Sequence, residues 1–179
     1  VYWTSRSTIP IQPTIDGYRV EEILSENLEL VGLPDNLEQD IAVTLDCASC
    51  ASLAPGVDYS LGYSPDSRVL TIEFLESGLR KLENAVAQDP SAEVKIAYVT
   101  TVLASGSHVN EAVLYPSRAA IDDRKGARDT ATTKWGPISV LVHEDDNPSS
   151  LIPGARFELY ESAEDASAQR NPIIIDGVQ

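Results

Sequence analysis

Between Ala54 and Val102 the sequence alternates polar and apolar residues in three short runs, broken by one turn and one stretch of helical spacing. Asp58–Tyr63 and Arg68–Phe74 flank Ser64, Pro65, Asp66 and Ser67, a spacing that predicts a β-hairpin. In the second arm Val69, Thr71 and Glu73 fall on one face and Leu70, Ile72 and Phe74 on the other. From Glu76 to Ala87 the period changes: Leu79, Leu82 and Val86 recur at three and four, as on a helix. Ser77 is the expected N-cap, Gly78 weakens the first turn, and Asp89-Pro90 ends the helix. Glu93–Leu103 is a long β-branched run with Val94, Ile96, Tyr98 and Thr100 on one face.

The same pattern extends outward. Tyr2–Ile11, Tyr18–Leu24, Asp40–Leu45 and His108–Tyr115 each read as strands, separated by Pro, Gly and Asn turn signals. Many short strands at this spacing predict an all-β sandwich, with the Glu76 stretch as a short helical insert. Pro116–Thr133 is polar, charged and without periodicity, and reads as a long connection. A domain boundary is expected near 130, giving a first domain over 1–130 and a second, only begun, over 131–179. The latter is shorter than chains that usually fold alone. The chain contains no Met, and we expect it to be a fragment cut at both ends.

Composition narrows the function. The formal net charge is −15, from 28 acids against 13 bases. That argues against nucleic acid, whose phosphates require a clustered basic face, and against an anionic membrane surface. GxSxG, HExxH, paired CxxC and a Gly-rich phosphate loop are all missing, so no enzyme class, cofactor or metal is indicated. Cys47 and Cys50 could be half a zinc site, a redox pair, free thiols or a local disulfide. The flanking β-like run and Pro-Gly loop favour the disulfide, which implies an oxidising, exported setting.

Taken in order, IDGYRVEEILSENLELVG, LAPGVDYSLGY, RVLTIEFLESGLRKL, VKIAYVTTV and HVNEAVLY resemble the isopeptide-forming, immunoglobulin-like domain (CnaA-like) of Gram-positive pilus subunits. The resemblance covers roughly residues 1–116. TKWGPISVLVHEDDNPSSLIPGARFELYES resembles the opening of a CnaB-type, prealbumin-like pilin module, carried by Leu151, Gly154, Ala155, Phe157 and Leu159. The resemblance implies a structural shaft or base subunit of a covalently assembled, sortase-built, cell-wall-anchored pilus involved in adhesion. Its partners would be neighbouring pilin subunits and host-surface receptors. An adhesin domain that binds host glycan or protein through loops at the sandwich end is the alternative.

The same resemblance implies an intramolecular amide between a Lys amine and an Asn carboxamide, assisted by a buried acid. Asn110 matches the acceptor on the closing strand, and Glu22 stands where the family commonly has Asp. The first strand has Arg6 but no Lys, and arginine cannot act as a neutral amine. In the second module the reactive Lys would fall near Leu141, which cannot perform the chemistry. The competing reading makes Glu22 a solvated strand residue and Asn110 a turn or edge residue. Trp3 and Trp135 are expected to pack at the sheet ends.

Overall fold

The computed structural model describes residues 1–31, 37–47, 49–136, 143–144, 147–151, 158–160, 162–170 and 172–173. The chain divides into two compact units, Val1–Pro137 and Ile138–Gln179.

The first unit is a sandwich of two antiparallel sheets. One sheet contains β1 (Tyr2–Thr8), β3 (Leu28–Leu30), β4 (Ala42–Asp46) and β7 (Glu93–Val102), with β7 central and β1 at an edge. The other has the order β5 (Tyr59–Ser64), β6 (Val69–Phe74), β2 (Arg19–Ile23), β8 (Gly106–Tyr115), β9 (Ala127–Trp135). The expected hairpin is present, with Tyr59 opposite Phe74 and Ser64 opposite Val69. Alternation sets the core: Leu70, Ile72 and Phe74 are buried on β6, Val94, Ile96 and Tyr98 on β7, and Val20 on β2. Fully burying one such side chain stabilises by about 1.5–3 kcal/mol. Tyr18 meets Phe74 edge-on, centroids 5.3 Å apart and planes at 82°, worth about 1 kcal/mol beyond area burial.

The helix α2 (Glu76–Gln88) follows β6 and inserts Leu82, Ala85 and Val86 into the same core. It begins differently from expectation. Leu75 is the N-cap residue and makes no side-chain capping bond, while the Ser77 hydroxyl donates to Asp58 Oδ1 at 2.8 Å. A four-residue helix, α1 (Leu37–Asp40), takes in Asp40, which the sequence pattern assigned to the strand that follows.

The polar stretch after Pro116 is not an unstructured connection. It forms α3 (Arg118–Asp122), capped by the Ser117 side chain, and then β9, which pairs with β8 from Ala127 to Trp135. Ile121 and Ala120 of α3 cover Ile23, Val113 and Tyr115, a small second core on the outer face of the five-stranded sheet. Every described side chain of β9 except that of Thr133 is exposed, which is why the strand shows no hydrophobic alternation.

In the second unit, β10 (His143–Glu144) and β11 (Asn147–Leu151) form an antiparallel pair, and α4 (Ala163–Ala168) is N-capped by Ser162. Leu141, Gly154, Ala155 and Phe157 lie outside the described residues. Leu159 is exposed. Trp135 is about half exposed, whereas the indole Nε1 of Trp3 donates to Thr100 Oγ1 at 2.8 Å.

Candidate functional site

Glu22 and Asn110 face the interior between the two sheets. On β2 the inward positions are Val20, Glu22 and then Leu24, so Glu22 stands in an apolar column, flanked by Leu70 of β6 and Ala112 of β8. Asn110 lies on the inward face of β8. The two residues are 2% and 3% exposed, so neither is solvated.

A tyrosine from the opposite sheet joins them. The Tyr98 hydroxyl donates to Glu22 Oε2 at 3.1 Å and accepts from Asn110 Nδ2 at 3.4 Å. The backbone N–H of Ser25 donates to Asn110 Oδ1 at 3.1 Å, drawing electron density from the carboxamide carbonyl. From the edge strand β1, the Ser5 hydroxyl donates to Glu22 Oε1. On β1 the half-buried positions are Trp3, Ser5 and Ser7, while Arg6 points outward to Asp46 at 3.2 Å.

Burial raises the Glu22 carboxyl above the usual glutamate range, and the hydrogen bonds from Ser5 and Tyr98 oppose that shift without cancelling it. Among the described residues no ion pair reaches Glu22. A cleft of about 320 Å³ lined by Trp3, Ser5, Glu22, Tyr98 and Asn110 reaches this group, with Asp129 and Ala131 of β9 beside it. A carboxyl with a raised pKa, one tyrosine hydroxyl away from a polarised carboxamide, can pass protons for amide exchange. The reaction then needs an amine. Lys81 is engaged by Asp58, Lys125 by Asp123, Lys95 is on the outward face of β7, and Lys134 is exposed on β9. The structure therefore brings Glu22 and Asn110 together and places Ser5, not a lysine, opposite them.

Sequence reasoning missed Tyr98 and Ser5 as members of this group. Alternation along β1 and β7 assigns both an inward face, which is the signal that could have found them. It also missed a second buried carboxylate. Asp58, 0% exposed, accepts from the Ala54 N–H at 2.7 Å, from Ser77 and from Lys81 Nζ at 2.6 Å. Burial works against its charge, but the hydrogen bonds from Lys81, Ala54 and Ser77 outweigh it and hold the carboxyl below the ordinary aspartate range. An ionised carboxylate paired with an ammonium is a poor start for amide formation, so this pair is a structural clamp. Cys47 and Cys50 form a disulfide at the end of β4.

No protein-family model and no curated protein matches the sequence. Among solved structures, the chain is similar to the fimbrial protein FimP of Actinomyces oris, with 20% identity, a TM-score of 0.54, and 67% of this chain and 28% of that chain covered. It is also similar to the Actinomyces fimbrial adhesin FimA, with 16% identity, a TM-score of 0.43, and 84% and 46% covered. A collagen-binding domain from a Staphylococcus aureus adhesin matches with 6% identity, a TM-score of 0.45, and 74% and 86% covered. The chain thus spans less than a third of the FimP chain, and what it shares with FimP is the all-β sandwich fold.

Proposed function

We propose that this chain is part of a structural subunit, in the shaft or base of a covalently assembled cell-surface pilus that takes part in adhesion. The observation that carries the reading is the fold shared with a fimbrial protein over two thirds of the chain. The Glu22–Tyr98–Asn110 array supports it, because an acid and a carboxamide held together in the core are two of the three groups that an isopeptide cross-link requires. In this reading the first unit is a CnaA-like domain and the second the start of a CnaB-type module. Glu22 holds the place of the acid and Asn110 that of the acceptor of an intramolecular isopeptide bond. Ser5 holds the place of the amine, so the array persists here without its cross-link. The protein would not turn over a substrate. Its partners would be neighbouring subunits and host-surface receptors.

The reading is tested on the natural protein at the surface of the cells that make it. Boiling in detergent should leave a ladder of high-mass species that react with antibody to residues 1–137. A single band at the monomer mass, from cells that display the protein, would sink it.

A further inference from the structure

The outer face of the five-stranded sheet carries a second cleft, larger than the one at Glu22, with a volume of about 640 Å³. It lies on the far side of the sheet from the buried array, and its residues have no part in the pilus reading. One cross-strand row explains its floor. Glu21 of β2 is opposite Thr71 of β6, and Thr71 is opposite Gly62 of β5. A Cβ added at Gly62 would meet nothing within 4 Å, so the floor there is open backbone edged by the small residues Ser64 and Thr71. The opposite wall is built by the segment that follows α3. Ile121 of α3 is anchored in the small outer core, and Arg124 follows the C-cap residue Asp123.

The charge of this cleft runs against that of the chain. The protein carries −15 overall, yet the cleft is lined by Arg19, Arg124 and Arg128 against the single acid Glu21. Arg19 is held by Glu73 at 2.6 Å and lies 3.8 Å from Glu21, and Arg128 is held by Glu111, which leaves Arg124 as the cation of the lining without an ion pair among the described residues. The paired guanidinium groups are not saturated. Arg19 Nε is buried and has no hydrogen-bond partner in the described structure. A guanidinium carries five donors, so each pair leaves several unused. Arg124 is exposed. Its backbone sits at φ 54°, and its N–H donates to Ile121 O at 3.2 Å as α3 closes. That left-handed position favours Gly or Asn, yet it is filled by a residue whose side chain faces this cleft.

We propose that this cleft binds a carboxylate-bearing sugar unit of an acidic glycan, with Arg124 and Arg128 taking the carboxylate and the Gly62–Ser64–Thr71 floor taking the ring hydroxyls. Guanidinium forks match a carboxylate in two parallel bonds, which fixes its orientation. The floor sets the hydroxyls of Ser64, Ser67 and Thr71 and the bare peptide at Gly62 beside the apolar side chain of Val69, a mixture that suits a sugar ring, which carries both hydroxyls and C–H faces. The one acid in the lining is already engaged: the Tyr115 hydroxyl donates to Glu21 Oε2 at 3.1 Å, and Arg19 Nη1 lies 3.8 Å from Glu21 Oε1.

The test is a ¹⁵N-edited NMR titration of the 179-residue chain with N-acetylneuraminic acid and with glucuronic acid. The methyl ester of each, sodium sulfate and an acetylated Asp-Glu dipeptide serve as the other arms. Shifts at Gly62, Thr71 and Arg124 amides with either free acid, at least tenfold weaker with its ester, support the proposal. Arg124→Asn keeps a residue that tolerates the left-handed backbone, and should weaken the acid arm at least tenfold with the spectrum otherwise unchanged. Equal shifts with sulfate or with the dipeptide would overturn it, the first as a plain anion site and the second as a peptide site. Unchanged affinity in the folded Arg124→Asn variant, or no shifts at millimolar sugar, would overturn it as well.

Discussion

Lys81 Nζ lies 2.6 Å from Oδ2 of Asp58, and the same ammonium donates to the Ser52 carbonyl at 2.9 Å. One buried aspartate thereby ties the loop before β5 to the first two turns of α2. Asp58→Ala leaves Lys81, Ser77 and the Ala54 N–H without their shared acceptor. Breaking a buried pair on one side costs about 3–5 kcal/mol. Urea unfolding of Asp58→Ala should fall in that range, with Asp58→Asn milder because the amide oxygen still accepts. A loss below about 1 kcal/mol, the scale of an exposed pair, would remove Asp58 from this role.

Gly78 is packed against the same aspartate. A Cβ at position 78 would lie 2.0 Å from the Asp58 carbonyl oxygen and 2.8 Å from its carbon, both backbone atoms that cannot step aside. Helix propensity alone makes Gly78→Ala a gain of about 1 kcal/mol. The steric term dominates, since overpacking costs typically about 1–3 kcal/mol. Thermal unfolding should therefore show a lower Tm for Gly78→Ala, and a higher Tm would refute the close approach.

These two residues mark where the sequence was legible and where it was not. Strands β1, β2 and β4 to β8 were readable because a two-residue period reports one buried face directly. Strand β9 was not, because its side chains are nearly all exposed and an edge strand without a buried face has no period to read. Gly78 looked like a weakness in the helix because the backbone that excludes a side chain there comes from twenty residues upstream. Ser77 looked like a cap because Asp58, an isolated acid in a loop, gave no sign of being buried. Glu22 and Asn110 could be named by resemblance, but the hydroxyls of Ser5 and Tyr98 that complete their hydrogen bonds are placed only by the sandwich.

Glu22 and Asp58 should give stability opposite slopes with pH. Burial raises the folded-state pKa of Glu22 above its unfolded value of about 4.3. Its favourable contribution is fully present below that unfolded value and is lost as pH rises through the folded one. Glu22→Gln removes this titration, so the variant should gain on the parent as pH rises above about 4.3, until the folded-state carboxyl has ionised. Asp58 is shifted down, and its contribution is present above the unfolded value of about 3.9 and lost as pH falls through the folded one. Denaturation midpoints measured from well below about pH 3.9 up to neutral pH check both signs, and a parent–variant gap for Glu22→Gln that does not change with pH would show that Glu22 keeps an ordinary pKa.

The Cys47–Cys50 disulfide closes a small loop, so its effect on the unfolded chain is limited to about 2 kcal/mol. Replacing both residues with Ser should lower stability by no more than that. The first unit should stay folded, because its core is built from both sheets and α2. Global unfolding on reduction would show instead that the loop organises β4.

Ser5→Lys tests whether the buried array retains its chemistry. Position 5 is on the half-buried face of β1 and its side chain already touches Glu22. A lysine there would extend its amine along the cleft toward the Asn110 carboxamide. Burial shifts an amine down and has shifted Glu22 up, both toward the neutral forms that amide exchange needs. Nζ would attack Cγ of Asn110, the new C–N bond would form as the C–NH₂ bond breaks, and Glu22 would relay the proton to the departing nitrogen, which leaves as ammonia. The intact mass of Ser5→Lys should therefore be one ammonia below the value calculated from its sequence, and the parent should show no loss. Ser5→Lys combined with Glu22→Gln or Asn110→Ala should keep the full mass. A cross-link joining positions so far apart in sequence would also stabilise the first unit by about 4–5 kcal/mol on the chain-entropy argument. A folded Ser5→Lys protein of full mass would mean that Glu22 and Asn110 lack the geometry for amide exchange, and that their burial needs another explanation.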